Sequence, residues 1–230
     1  AVLYGRVMQY RSSEPKWIDR DRFILSKGHA GVGVYAVLAE CGFFNVIELN
    51  KHYQDGSIFS GHVSHKGIPG VELSTGSLGH GLPVSAGMAL AAKIDKKDHK
   101  IFVVMSDGEL DEGSNWEAFM FASHHGLSNL TAIIDRNKLQ SMKTTEETLS
   151  LEPLRDKLIA FGWNVIEVDG HNHDELFLAI DSYTKKPKVI IANTIKGKGV
   201  SYMENEIAWH YRTPNGELFD QAMKDLGEKT

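Results

Sequence analysis

Asp107 is followed by Gly108, and Asn137 comes after 28 intervening residues. Each stands at the end of an apolar run, "IFVVMS" before Asp107 and "LTAIIDR" before Asn137. An ionised carboxylate and an amide oxygen are hard donors, suited to Mg²⁺ or Ca²⁺. A backbone carbonyl just beyond Asn137, that of Leu139, could complete a protein face for the ion. Mg²⁺ usually keeps its other positions for water and phosphate oxygens. The pattern therefore reads as a metal, held by two strand ends, that grips a phosphorylated ligand. Gly108 would let the backbone approach the phosphates. A plainer reading stays open, because Asp-Gly after a strand is commonly just a turn. An EF-hand is excluded: "DGELDEG" puts Gly113 at loop position 7 instead of 6, and a strand precedes the loop.

Such a site needs a parallel sheet, because ligands of open parallel sheets bind at the carboxyl ends of the strands. Apolar runs bounded by turn residues predict four buried strands: Ile101–Met105, Thr131–Ile134, Asn164–Val168 and Val189–Ala192. Helical patterns lie between them, over Ser114–His125, Leu154–Phe161 and His173–Tyr183. Alternation of strand and helix predicts an α/β fold, a parallel sheet with helices on both faces. A further helix over Leu82–Lys93 is apolar nearly all round and is expected to be buried. Two long segments show little periodicity: Asp55–Gly81, rich in Gly with His62, His65 and His80, and Lys196–Asn215. Long irregular segments in compact domains are usually functional, and these two could meet at one end of the sheet. No linker or repeat divides the chain, so residues 1–230 read as one domain.

Bulk properties exclude other classes. The chain is 42% hydrophobic and 24% charged, ordinary for a globular protein with a sizeable core. The formal net charge of -5 and the lack of a long basic run argue against nucleic acid or a polybasic membrane patch. The single cysteine, Cys41, forms no intrachain disulfide and fits a reducing compartment, most simply the cytoplasm. No stretch has the roughly 20 apolar residues of a membrane helix. The sequence opens on "AVLYGRVMQY", a helical pattern already running without Met, which suggests a truncated N-terminal helix. It closes on "ELFDQAMKDLGEKT", which reads as a polar amphipathic helix.

Asp-Gly followed at this distance by Asn is similar to the thiamin diphosphate fingerprint. "DRFILSKGHA", "SGHVSHKGIPGVELSTGSLGHG", "SDGELDEGSNWEA", "DRNKLQ", "SLEPLRDKLIAFGWNVIEVDGH" and "TIKGKGVSYMENEIAWH" resemble transketolase, in order and spacing, over nearly the whole chain. The resemblance implies the diphosphate domain of that family, with thiamin diphosphate and Mg²⁺ (or Ca²⁺ or Mn²⁺) as cofactors. It implies Asp107, Asn137 and the Leu139 carbonyl as metal ligands. It implies cofactor contacts from Gly108, Glu109, Gly76, Ser77, Leu78 and Lys196. His29, His62 and His210 would face cofactor and substrate, and Glu112 would match a buried acid that links two active sites of a dimer. The cofactor carries the electron sink, while the protein orients and moves protons. Histidine titrates near neutrality and suits that work on sugar hydroxyls.

Taken singly, these residues have plain readings. His29 could cap a helix, and His62 with His65 could suggest zinc, though no third ligand at useful spacing is visible. His124-His125 read as helix-end partners, His171 and His173 as loop or cap residues, and Glu112, Lys196 and Lys198 as solvated surface. Three positions depart from the family pattern: Ser106 before Asp-Gly, His80 in "SLGHG", and Tyr211 after the late histidine. These departures bear on the substrate more than on the cofactor.

The resemblance covers only the family's first domain. It implies an N-terminal subunit that transfers a two-carbon ketol unit from a ketose to an aldose, sugars or sugar phosphates, together with a C-terminal, pyrimidine-binding subunit, in an α2β2 assembly. A specialised sugar or natural-product pathway, a decarboxylating thiamin diphosphate synthase and a non-catalytic regulatory subunit remain the alternatives.

Overall fold

The computed structural model describes residues 1–227; the end of the expected C-terminal helical stretch lies outside the described residues. Five strands form one all-parallel sheet: β1 (Arg22–Leu25), β2 (Ile101–Ser106), β3 (Leu130–Arg136), β4 (Asn164–Asp169) and β5 (Lys188–Asn193). Their order is β1-β2-β3-β5-β4. The α-helices among the described residues are α1 (Gly31–Glu40), α2 (Gly81–Ile94), α3 (Gly113–His124), α4 (Thr145–Thr148), α5 (Leu154–Ala160), α6 (His173–Asp181) and α7 (Glu217–Asp225). The expected N-terminal helix is a short π-helical turn, Leu3–Val7.

Two apolar cores sandwich the sheet. Alternate side chains of β2, β3 and β5 (Val103, Ala132, Ile191) meet Leu82, Ala86, Phe119 and Leu158 of α2, α3 and α5. The opposite face (Phe102, Ile133, Ile190) meets Leu3, Tyr35, Leu38 and Ile180 of the N-terminal turn, α1 and α6. Strands covered on both sides read as continuous apolar runs, and this explains why periodicity finds β2, β3 and β5.

Three expectations need correction. β1 was not expected: its four residues are too few to show a pattern, and they run directly into Ser26-Lys27-Gly28. β4 is not buried; it is the edge strand, and along it only Val168 is buried. α2 is not buried all round: Leu82, Ser85, Ala86, Ala89 and Ala92 face inward, whereas Val84 and Gly87 are exposed. Its high alanine content reflects close packing on one side only.

The register fixes the site. Ser106 pairs with Asp135, so β2 and β3 end side by side, and Asp107 and Asn137 leave the sheet at the same edge. β1 ends there too, with Leu25 paired to Val104. No helix among the described residues is long and apolar enough to cross a membrane.

Candidate diphosphate and metal site

A cleft of about 510 Å³ opens at this carboxyl edge. Both irregular segments reach it: Gly61, His62, Gly76 and Leu78 from the first, Lys196, His210 and Tyr211 from the second, with Tyr53 joining from just before the first. Between them lie Asp107, Gly108, Asn137 and Leu139. The expectation that the two segments meet at one sheet end is met.

Asp107 is fully buried. Its Oδ1 accepts the Gly108 N–H at 2.8 Å, and its Oδ2 accepts the Lys138 N–H at 2.6 Å and Nη1 of Arg136 at 3.2 Å. Burial pushes the Asp107 carboxyl up, and the backbone donors and Arg136 oppose it. Asn137 Oδ1 accepts the Leu139 N–H at 3.0 Å. Lys138 takes a positive φ of 65°, which swings the backbone so that this turn can form. The donor chemistry fits a hard divalent ion: a carboxylate and an amide oxygen, each with acceptor capacity left beyond the bonds named.

The arginine between these donors escaped sequence reasoning. Arg136 is buried and donates to Asp107, to Thr145 Oγ1 (2.7 Å), to Glu146 Oε1 (3.0 Å) and to Glu152 Oε1 (2.9 Å). It ties the strand end to the segment that follows Leu139. In the sequence it is one charged letter inside "DRN", and its partners lie up to 29 residues away.

The opposite wall is cationic. Lys27 forms an ion pair with Asp135 at 2.6 Å, and Thr194 also donates to Asp135. Burial raises the Asp135 carboxyl, but Lys27, Thr194 and Asn137 together outweigh it and the net shift is downward. Lys196 Nζ lies 3.2 Å from His210 Nδ1. The His29 and His210 rings are 5.2 Å apart. Burial, then Lys27, His210 and Lys196, push the His29 imidazole down; His29 is exposed to the cleft, so solvent tempers this while leaving its direction. Burial and then Lys196 push His210 down. Burial and Lys27 likewise lower Lys196. Neutral imidazoles beside two cations suit a cleft built to take an anion.

Close packing sets the histidines. A Cβ on Gly28 would stand 2.5 Å from the Thr75 backbone, so only glycine lets the turn that carries His29 lie against that loop. Tyr35 Oη donates to the His62 carbonyl at 3.1 Å and accepts the Ser64 N–H at 2.9 Å. Gly76 has φ +146°, and a Cβ there would meet the His62 ring at 2.7 Å. The bare backbone at Gly76 keeps that wall open to a ligand.

Other sequence-selected residues lie elsewhere. Glu109 does not line the cleft: it is buried behind the wall, where it accepts from the Ser26 hydroxyl, the Gly79 N–H (2.9 Å) and the Ser106 N–H (3.3 Å). Its carboxylate clips together the ends of β1 and β2 and the loop before α2, which corrects the expectation of direct cofactor contact. Ser77 is exposed and lies outside the cleft wall, unlike its neighbours Gly76 and Leu78. Glu112 is exposed, so the burial expected of it is not met within one chain; extended backbone there leads out of a 3₁₀ turn into α3. His29 caps no helix, since Ala30 stands at the cap of α1. His65 bonds to Ser74 and does not line the cleft with His62. Of the three departures, Ser106 and Tyr211 line the cleft, whereas His80 stands at the cap of α2.

Residues 1–228 match a family model described as "Transketolase, thiamine diphosphate binding domain". The chain is 46% identical over 231 residues to an apulose-4-phosphate transketolase subunit of Phocaeicola vulgatus, covering 99% of this chain and 82% of that protein. It is 42% identical over 229 residues to 6-deoxy-6-sulfo-D-fructose transketolase subunit SqwG of Clostridium sp., covering 98% of this chain and 83% of that one. Among solved structures, transketolase from Campylobacter jejuni superposes with a TM-score of 0.90 at 30% identity, covering 98% of this chain. This chain spans only 37% of that protein.

Proposed function

This chain belongs to the transketolase family, whose thiamine diphosphate binding domain it matches, and from that premise we propose that it is the diphosphate-binding subunit of a two-chain transketolase. The reading is supported by relatives above 40% identity that are named as subunits and are covered over four-fifths of their length. The partner is a second polypeptide that carries the pyrimidine-binding half, and the assembly is α2β2. The reaction moves a two-carbon ketol unit from a ketose to an aldose. The sugars are those of a specialised pathway, because the subunit relatives are named for apulose 4-phosphate and 6-deoxy-6-sulfo-D-fructose. A cytoplasmic location completes the reading, and the single free thiol of Cys41 fits it.

One observation carries the proposal: hard oxygen donors, Asp107 and Asn137, share a cleft with two lysines and three histidines at the end of a parallel sheet. Asp107, Asn137 and the Leu139 carbonyl would hold Mg²⁺, and Gly76, Gly108 and Lys196 would border the diphosphate. When bound, thiamin diphosphate supplies the nucleophilic carbon and the electron sink. His29, His62 and His210 then orient the sugar and pass protons to and from its hydroxyls. Each such group typically contributes about 10²–10⁴-fold. Glu112, exposed on this chain, is assigned to contact between subunits.

The test is ketol transfer by the co-purified complex with Mg²⁺ and thiamin diphosphate. Transfer by the complex, lost in Asp107→Asn, supports the reading. Full transfer by this chain alone would contradict the two-chain assignment, and consumption of pyruvate with release of carbon dioxide would point instead to a decarboxylating relative.

A further inference from the structure

We infer that Tyr53 and Tyr211 determine substrate specificity: together they form an uncharged aromatic rim that holds the carbon chain of the sugar and leaves its anionic end to other groups. The inference rests on the cleft being the sugar site proposed above. Both tyrosines line the cleft, yet each is 79% exposed, the position of a residue at a mouth rather than a floor. Neither gains the burial that normally justifies an aromatic side chain.

Tyr53 is held in place at a cost. Its φ is +56°, in the left-handed region that bulky side chains avoid. Its N–H donates to the Phe59 carbonyl at 2.8 Å, which fixes the turn. Its ring lies against Gly61, where a Cβ would approach Tyr53 Cε2 to 2.7 Å. A strained backbone and a bare neighbouring Cα thus hold an exposed ring next to His62. Tyr211 adjoins a second cleft histidine, edge-on to His210 at 4.8 Å. Two of the three proton-handling histidines, His62 and His210, therefore have a tyrosine near them at the mouth.

Charge gives the ligand class. The fixed cations lining the cleft, among the described residues, are Lys27, paired with Asp135, and Lys196, assigned above to the diphosphate; neither belongs to the rim. The rim offers phenols, with Gln140 and Ser141 also on the cleft wall. Such groups recognise a polyol, rings against C–H faces and hydroxyls against phenols, but give a phosphate or sulfonate no salt link.

Sugar binding to the complete two-chain enzyme, loaded with Mg²⁺ and thiamin diphosphate, tests this by saturation-transfer NMR and titration, with D-ribose and D-ribose 5-phosphate as probes. Tyr53→Ala and Tyr211→Ala are expected to weaken both probes by a similar factor, on the order of tenfold. Tyr53→Arg is expected to shift preference toward the phosphorylated probe by about tenfold or more. Tyr53→Gly should lose sugar affinity like Tyr53→Ala while its Tm is held or raised, since glycine adopts a positive φ freely. The inference is overturned if wild type binds neither probe, if the alanine variants bind both within about twofold of wild type, or if they lose only the phosphorylated one. A fall in Tm for Tyr53→Gly would also overturn it, by making Tyr53 a structural residue. Turnover is scored separately: rim-dependent binding without ketol transfer would sink the proposed reaction and leave the rim assignment standing.

Discussion

Lys196 Nζ stands 3.2 Å from Nδ1 of His210. An ammonium only donates, so the imidazole accepts at Nδ1 and carries its proton at Nε2. His210 is thus set as a neutral ring with one N–H donor, beside His29 and at the cleft wall. The same contact depresses its pKa, after burial, because a second positive charge next to Lys196 is unfavourable.

The pH consequence has a definite sign. With its folded pKa below the ordinary 6.5, His210 binds fewer protons in the native state than in the unfolded state as pH falls through that value. Its contribution therefore lowers stability on acidification below about 6.5. In Lys196→Met the second cause disappears. NMR titration of His210 should give a midpoint above that of wild type, and an unchanged or lower midpoint would refute the charge coupling.

Arg136 is the partner that Asp107 has inside the protein. Removing one member of a buried pair typically costs about 3–5 kcal/mol. Arg136→Met leaves Asp107 without its guanidinium and unties Thr145, Glu146 and Glu152 from the strand end. Urea denaturation should show a loss of about 3 kcal/mol. Metal-dependent affinity for thiamin diphosphate should fall about 10–100-fold, as for other groups that support a metal ligand. Wild-type affinity in a folded Arg136→Met protein would show that Asp107 needs no such support.

Asp107→Asn keeps the side chain's shape but removes its charge and turns one acceptor into a donor that faces the Lys138 or Gly108 N–H. A buried mismatch of this kind costs about 1–3 kcal/mol. Circular dichroism should show a folded protein of lower Tm, while calorimetry should detect no Mg²⁺-dependent binding of thiamin diphosphate. Binding as tight as wild type would remove Asp107 from the metal site.

Gly76→Ala tests the open wall. The added methyl would meet the His62 ring at 2.7 Å and sit on a backbone with φ +146°. Loss of the chemical shifts that mark the wild-type His62 environment, with at least about a tenfold loss of cofactor affinity, is the expected outcome. A variant with an unmoved His62 and normal affinity would show that this loop has slack.

The central sheet was legible because β2, β3 and β5 are covered on both faces and therefore write apolar runs into the chain. β1 was not, since four residues hold no period, and α1 was missed because Gly31 and Gly33 interrupt its pattern. Asp107 and Asn137 were legible as residue types at strand ends. Arg136, Lys27 and Tyr53 were not: what sets them apart is a buried four-way hydrogen bond set, an ion pair across 108 residues and a positive φ, none of which shows in local sequence. Glu109 was misread for the opposite reason, since adjacency to Asp107-Gly108 says nothing of which side of the wall a carboxylate faces.

The most direct measurement is native mass spectrometry of the tagged chain isolated from its own cells in Mg²⁺ and thiamin diphosphate. The account predicts one assembly that contains this chain, a second, different polypeptide, the metal and the cofactor, with metal and cofactor lost together in Asp107→Asn. An assembly of this chain alone, free of cofactor although both ligands are supplied, would contradict it.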